Sequence, residues 1–197
     1  MKIEGSTKNF AVIALTTLGI WVLSPAAKAD TFTLNPANGH YYGFVSGSLD
    51  WQQANSAAAS QQFMGFSGYL ATITSASEES FIQTHFSSDF TTLPSTTPLW
   101  LGGYQPANST EPAGGWTWVT GESFTYSNWA SGEPNNNTEM GNEDALEIWG
   151  TGVWNDTSHT RTGSGYLVEF SVPEPSSLGL ALSALGAIAI FRKRMAN

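Results

Sequence analysis

Glu133-Pro134-Asn135, Asn142-Glu143-Asp144 and Trp154-Asn155-Asp156 fall in one stretch, residues 133–156, that holds no Lys, Arg or His. The motifs offer oxygen ligands on Glu133, Asn135, Glu143, Asn155 and Asp156. Calcium takes about 6–8 oxygens and mixes carboxylates with amide carbonyls, so these residue types suit one Ca²⁺ ion. Three carboxylates against a divalent cation leave a net negative site that tolerates neutral ligands in its open positions. Glu-Pro-Asn alone could be an ordinary turn, because Pro and Asn both favour turns. The return of oxygen donors at Glu143 and again at Asn155 and Asp156 favours a cation.

Charge supports this over the chain's middle. Of 197 residues, the segment from Asp30 to Val172 carries fourteen Asp and Glu against one basic residue, Arg161. Phosphate binding needs clustered Lys and Arg, so nucleic acid is excluded as a partner. A hard cation is compatible with such a surface, as is acidity that only keeps an exported domain soluble. The absence of cysteine removes thiolate zinc, redox pairs and a Cys nucleophile. His40, His85 and His159 match no zinc spacing.

Both ends read as addresses. Lys2 and Lys8 precede an apolar run from Phe10 to Leu23, and Ala27-Lys28-Ala29 gives an Ala-x-Ala cleavage pattern. Residues 1–29 are therefore expected to be a secretory signal peptide. At the other end, Ser176 to Phe191 is a sixteen-residue apolar run closed by Arg192-Lys193-Arg194. As a helix it would span roughly 24 Å, a short transmembrane segment with its basic end in the cytoplasm. Pro173-Glu174-Pro175 stands just before it. Pro-Glu-Pro, a short apolar helix and a basic tail together resemble the PEP-CTERM sorting signal over 173–197. That resemblance implies handling by an exosortase, export in a Gram-negative bacterium that makes exopolysaccharide, and at least transient membrane attachment.

Between the ends, residues 30–172 form one expected domain. Strand signals appear at His40–Val45, Tyr69–Ile73, Leu99–Gly103, Trp116–Thr120, Ala145–Trp149 and Gly165–Phe170. Asp50 with Gln53 reads as a capping box opening one helix, and Ser75 with Glu78 as another. The second helix would carry Phe81, Ile82, His85 and Phe86 on its apolar stripe, with His85 at the core edge. Two early helices, then strands separated by long loops, predict an α+β domain. Trp100, Trp116, Trp118, Trp129 and Trp154 read as core and loop anchors, and Trp149 as an exposed contact.

These landmarks, in this order, resemble the C-type lectin domain from about His40 to Phe170. They are Trp51-x-x-Ala54, Tyr69 to Ile73, Trp100-Leu101-Gly102, Trp116-Thr117-Trp118, Asn128-Trp129, Glu-Pro-Asn, Trp-Asn-Asp and Val168-Glu169-Phe170. The resemblance implies two helices with small antiparallel sheets and a long calcium-binding loop region with a cis Pro134. It also implies that Glu133, Asn135, Glu143, Asn155 and Asp156 hold Ca²⁺, the Asp156 carbonyl adding a sixth oxygen. Glu133, Asn135, Glu143 and Asn155 would hydrogen-bond the two sugar hydroxyls that complete the shell. Glu-Pro-Asn, as opposed to Gln-Pro-Asp, implies mannose-, glucose-, N-acetylglucosamine- or fucose-type sugars. The family's two disulfides would fall at Ala58 with Val168 and Ala145 with His159, where this chain has no Cys. An auxiliary ion is not assigned: Glu143, Asp144 and Glu111 suit one, but Gln105 stands where an acid is expected.

The expected function is calcium-dependent carbohydrate binding at the cell surface, the outer membrane or the extracellular matrix, with a mannose-type sugar or exopolysaccharide as the partner and without catalysis. The alternative is a lectin-like fold used for calcium-independent protein contacts or as a structural or adhesion module. A glycosidase would need paired carboxylates. Glu143 and Asp144 are adjacent, but ligation accounts for Glu143, and no Ser/His/Asp order or phosphate loop appears.

Overall fold

The computed structural model describes residues 32–92, 97–139 and 141–173. The expected signal peptide and the apolar run at 176–191 lie outside the described residues. Within them, no helix is long and apolar enough to cross a membrane.

Chain order runs β1 (Thr33–Leu34), β2 (Tyr41–Leu49), α1 (Trp51–Ser60), β3 (Gln62–Phe63), β4 (Phe66–Ser67), β5 (Tyr69–Leu70) and α2 (Ala76–Thr91). It continues with β6 (Leu99–Tyr104), β7 (Thr117–Trp118), β8 (Ala145–Ile148), β9 (Trp154–Thr157) and β10 (Gly163–Phe170). The main sheet has the order β1-β2-β10-β6-β8-β9, with β5 on β10 and β7 on β6, and β3-β4 is a separate hairpin. All its pairs are antiparallel except β10 with β6. The α+β architecture expected from the sequence is therefore present.

Local chemistry explains both helices. The Asp50 carboxylate accepts the Gln53 N–H at 2.8 Å and the Gln53 side chain accepts the Asp50 N–H at 3.1 Å, so α1 opens on a complete capping box. Ser75 caps α2 by accepting the Glu78 N–H at 3.2 Å. The return half of the expected box is missing, because the Glu78 carboxylate turns inward to accept the Thr74 N–H at 2.8 Å and the Tyr42 hydroxyl. His85 lies at the core edge as expected: it is exposed, but its ring sits 4.2 Å from that of the buried Phe81, and its Nδ1 is 2.9 Å from the Phe81 carbonyl oxygen.

Alternate residues of β10 feed two apolar clusters, as the strand period demands. Tyr166, Val168 and Phe170 join Trp51, Ala54 and Ala58 of α1. Leu167 joins Phe81, Ile82, Phe86 and Phe90 of α2 together with Trp118 and Trp154. Ala58 and Val168, the expected positions of one absent disulfide, are both fully buried in the first cluster, so packing fills that place.

The expected strand at Tyr69–Ile73 stops at Leu70. The Ala71 N–H still bonds the Leu167 carbonyl at 2.9 Å, but the Thr72 N–H is taken by the Glu169 carboxylate at 2.8 Å. A side chain there replaces the ladder. Gly102 explains the Trp-Leu-Gly landmark, since a Cβ would sit 2.6 Å from the Leu70 carbonyl oxygen.

Candidate functional site

Two adjacent strands and one long loop build the site. In β8 and β9 the register sets Leu146 opposite Asp156, Glu147 opposite Asn155 and Ile148 opposite Trp154. Trp154 is fully buried and anchors this edge. Its indole N–H donates to Glu79 of α2 at 2.9 Å, and Trp118, Trp129 and Tyr126 meet its ring edge-on at 5.7–5.9 Å. The loop docks on the same residue: the Trp154 N–H bonds the Asn128 carbonyl and the Ala130 N–H bonds the Trp154 carbonyl, both at 2.8 Å. That pairing explains the Asn128-Trp129 landmark.

Beyond Ala130 the chain turns at Gly132, whose φ of +98° lies in the region that favours glycine. The Glu133–Pro134 bond is cis, as the family resemblance implied. The next residues close over β9. Asp156, fully buried, accepts the Asn135 N–H at 3.1 Å and the Asn136 N–H at 2.7 Å. Glu143 accepts the Asn137 N–H at 2.7 Å, and the Asn136 side chain accepts the Glu143 N–H at 3.0 Å. The structure thus brings Glu133, Asn135, Glu143, Asn155 and Asp156 into one neighbourhood.

The electrostatics are those of crowded acids. Burial pushes the Glu133 carboxyl up to about 7, with hydrogen bonding to Asp156 and the charges of Asp156 and Glu143 adding to it. Its Oε2 is buried and has no hydrogen-bond partner. Burial also raises Glu143, opposed by the Asn137 N–H. A buried, unpartnered carboxylate oxygen beside two more carboxylates is the chemistry a cation would satisfy. The acids alone do not make a cage: no group of three or more His, Cys, Asp or Glu among the described residues could hold a metal ion. The amides of Asn135 and Asn155 are needed to complete a ligand set.

Those amides differ. Asn155 spends its Nδ2 on Glu147 Oε1 at 2.8 Å and on the Asp156 carbonyl at 2.6 Å, which leaves its Oδ1 for ligation. Asn135 is exposed. Glu147 was not singled out in the sequence. It is buried, burial raises its pKa, and it holds both Asn155 and the Trp149 indole N–H, the latter at 3.0 Å. A lone acid within the apolar run Ala145-Leu146-Glu147-Ile148 was the available signal.

Of the residues considered for an auxiliary ion, Gln105 has its Oε1 buried without a hydrogen-bond partner. Gln105 donates to the Pro112 and Gly114 carbonyls at 3.0 and 2.7 Å, and Asp144 is bound by His159 Nδ1 at 2.7 Å.

The Lectin C-type domain family profile matches residues 48–163. The chain belongs to the C-type lectin domain family. This lectin chain also matches the PEP-CTERM protein-sorting motif at residues 171–194, which implies export. It is 32% identical to halomucin of Haloquadratum walsbyi over 74% of its own length, which is 2% of that protein. It is 28% identical to mouse C-type lectin domain family 4 member G over 68% of its length and 40% of the relative's. The chain therefore spans well under half of these relatives. Among solved structures, CEL-I from Cucumaria echinata shares the fold, with a TM-score of 0.57 at 23% identity over 75% of this chain and 99% of that one. The cow CD23 carbohydrate-recognition domain, solved in the presence of GlcNAc2Man3 oligosaccharide, has a TM-score of 0.55 at 23% identity, covering 73% of this chain and all of that one.

Proposed function

We propose that this lectin is an exported carbohydrate-binding protein that recognises mannose-, glucose-, N-acetylglucosamine- or fucose-type sugars through Ca²⁺ held by Glu133, Asn135, Glu143, Asn155 and Asp156. The observation that carries the reading is the buried, unpartnered Glu133 Oε2 beside the Asp156 and Glu143 carboxylates. Bound Ca²⁺ would supply open coordination positions for two neighbouring sugar hydroxyls. The chain's own residues then fix the sugar. Glu133 and Glu143 accept hydroxyl protons, and Asn135 donates an N–H to a hydroxyl oxygen. Asn155 contributes its Oδ1 while Glu147 holds its amide in place. Asp156 keeps the loop closed from below.

The PEP-CTERM motif supports handling by an exosortase and residence at a cell surface or in a matrix, where exopolysaccharide is the sugar at hand. Residues 30–172 are the proposed folded domain. The test is binding of the full-length chain, kept soluble in a sugar-free detergent, to a glycan array in calcium and in EDTA. Binding to mannose-type glycans that EDTA abolishes is the expected result. Binding that survives EDTA would overturn the reading.

One observation favours the alternative, a calcium-independent contact module. Asp156 and Glu143 already hold the loop through backbone N–H groups, so its shape does not depend wholly on a metal.

A further inference from the structure

We propose that the face formed by β1 and the β3–β4 hairpin rests on the lipid bilayer that holds the chain's own C-terminal apolar run, with Leu34 and Met64 in contact with lipid. The inference goes beyond the carbohydrate reading and does not rest on it. It rests on the expectation that residues 176–191 enter a membrane.

The face is apolar where the fold does not require it. Three large hydrophobic side chains are exposed among the described residues, and two of them, Leu34 at 45% and Met64 at 65%, lie here. The third, Trp149, lies between β8 and β9. Leu34 pairs with Tyr41, and the Tyr41 ring is 4.8 Å from that of Phe63, the neighbour of Met64. Half-buried Phe32 continues the patch, its ring 5.0 Å from Phe63. Met64 and Gly65 make the two-residue turn of the hairpin, at φ of +51° and +86°. Such a turn favours Asn and Gly, so Met64 suits neither the backbone nor water.

The chain leaves the domain at this face. Phe170, the last residue of β10, pairs with Tyr41, and its ring is 4.6 Å from that of Phe32. The sorting motif begins at the next residue, Ser171, so no linker separates it from the fold. From Pro173, the last described residue, to Ser176, where the apolar run starts, the chain reaches at most about 11 Å. A run held in a bilayer therefore keeps this face at the lipid surface.

Charge points the same way. From Thr31 to Ser77 the sole Asp, Glu, Lys or Arg is Asp50, past the far end of β2. Glu169, next to Phe170, is buried. Anionic lipids repel an acidic surface but not a neutral one, so this is the side of the domain a bilayer tolerates. β1 and β9 are opposite edges of the main sheet, about 24 Å apart at five strand spacings. Docking on β1 thus leaves the candidate calcium site, built on β8 and β9, clear of the lipid.

The test exploits the absence of cysteine. Gln62→Cys, on the hairpin, and Thr151→Cys, between β8 and β9, each give a single labelling site for an environment-sensitive dye. The full-length chains are reconstituted into liposomes of phosphatidylethanolamine and phosphatidylglycerol that contain a nitroxide-labelled lipid. Quenching at residue 62 is expected to exceed that at residue 151 by about twofold or more, because an interfacial apolar face sits ~5–10 Å into the headgroup region. Adding Leu34→Thr and Met64→Asn should bring the two sites level without lowering Tm, since Asn accepts the turn's φ better than Met. That pair keeps a folding failure from imitating a docking failure. Equal quenching at both sites in the otherwise unchanged chain, or a difference that survives the pair, overturns the docked face. A chain that does not float with the liposomes also overturns it, by removing the membrane insertion it rests on, and leaves the calcium-site reading standing.

Discussion

The Asp156 carboxylate accepts the Asn136 N–H at 2.7 Å, so a buried acid on β9 pins the loop that follows Glu133–Pro134. Asn135 N–H adds a second bond to the same carboxylate at 3.1 Å. Asp156→Ala would strand both donors, and hydrogen bonds to charged groups contribute about 1.5–3 kcal/mol each. We expect a loss of about 2–3 kcal/mol in EDTA, read from urea unfolding, because the loop can partly rehydrate. An unchanged midpoint would mean that the loop does not depend on Asp156.

Asn135→Asp separates ligation from sugar recognition. The substitution keeps an oxygen for the cation but removes an amide donor. Because Asn155 has committed its Nδ2 to Glu147 and Asp156, no second amide stands ready to replace it. Calorimetry should show sugar affinity falling at least tenfold while calcium affinity changes much less. Equal loss of both would contradict the assigned roles.

Glu133 gives the calcium site a pH dependence. Burial and Asp156 hold its carboxyl at about 7, so below that pH a proton must leave before the oxygen can ligate. Apparent calcium affinity should climb with pH, by up to about tenfold per unit, and level off above about 7. Glu133→Gln should flatten the curve. A flat wild-type profile from pH 5.5 to 8 would show that Glu133 takes no part.

A second pH effect lies at the other end of the sheet. His40 Nδ1 sits 2.5 Å from Glu169 Oε1, and that hydrogen bond raises the imidazole above its ordinary 6.5. The stabilisation is fully present below 6.5 and is lost as pH rises through the higher folded value. Glu169, raised by burial, acts in the same direction, because its ionisation costs more in the folded state than in the unfolded one. Stability of the metal-free chain should therefore decline from pH 6 to 8, and His40→Gln should make that decline shallower. Parallel profiles for the two proteins would remove His40 as the cause.

How much of this was legible follows from physical range. Asp50 with Gln53 is a local pattern, and the helix it opens formed as read. Glu-Pro-Asn and Trp-Asn-Asp are also local, and their residues converge because the loop before β8 docks on β9 at Trp154 and Asp156. Long-range polar pairing was not legible. Thr72 loses its ladder bond to Glu169, far along the chain, and Glu78 leaves its capping box for Tyr42. Glu147 was overlooked for the same reason, since its importance comes from a cross-strand neighbour, Asn155, that no sequence period reveals.

The central claim is that these residues hold one calcium ion. The most direct measurement is a calorimetric Ca²⁺ titration of the full-length chain in a sugar-free detergent, with thermal melts in calcium and in EDTA, repeated on Glu143→Ala. The account predicts saturable binding of about one ion per chain and a raised Tm, both lost in the variant. No binding up to several millimolar Ca²⁺, or the same calcium response in Glu143→Ala, would contradict it.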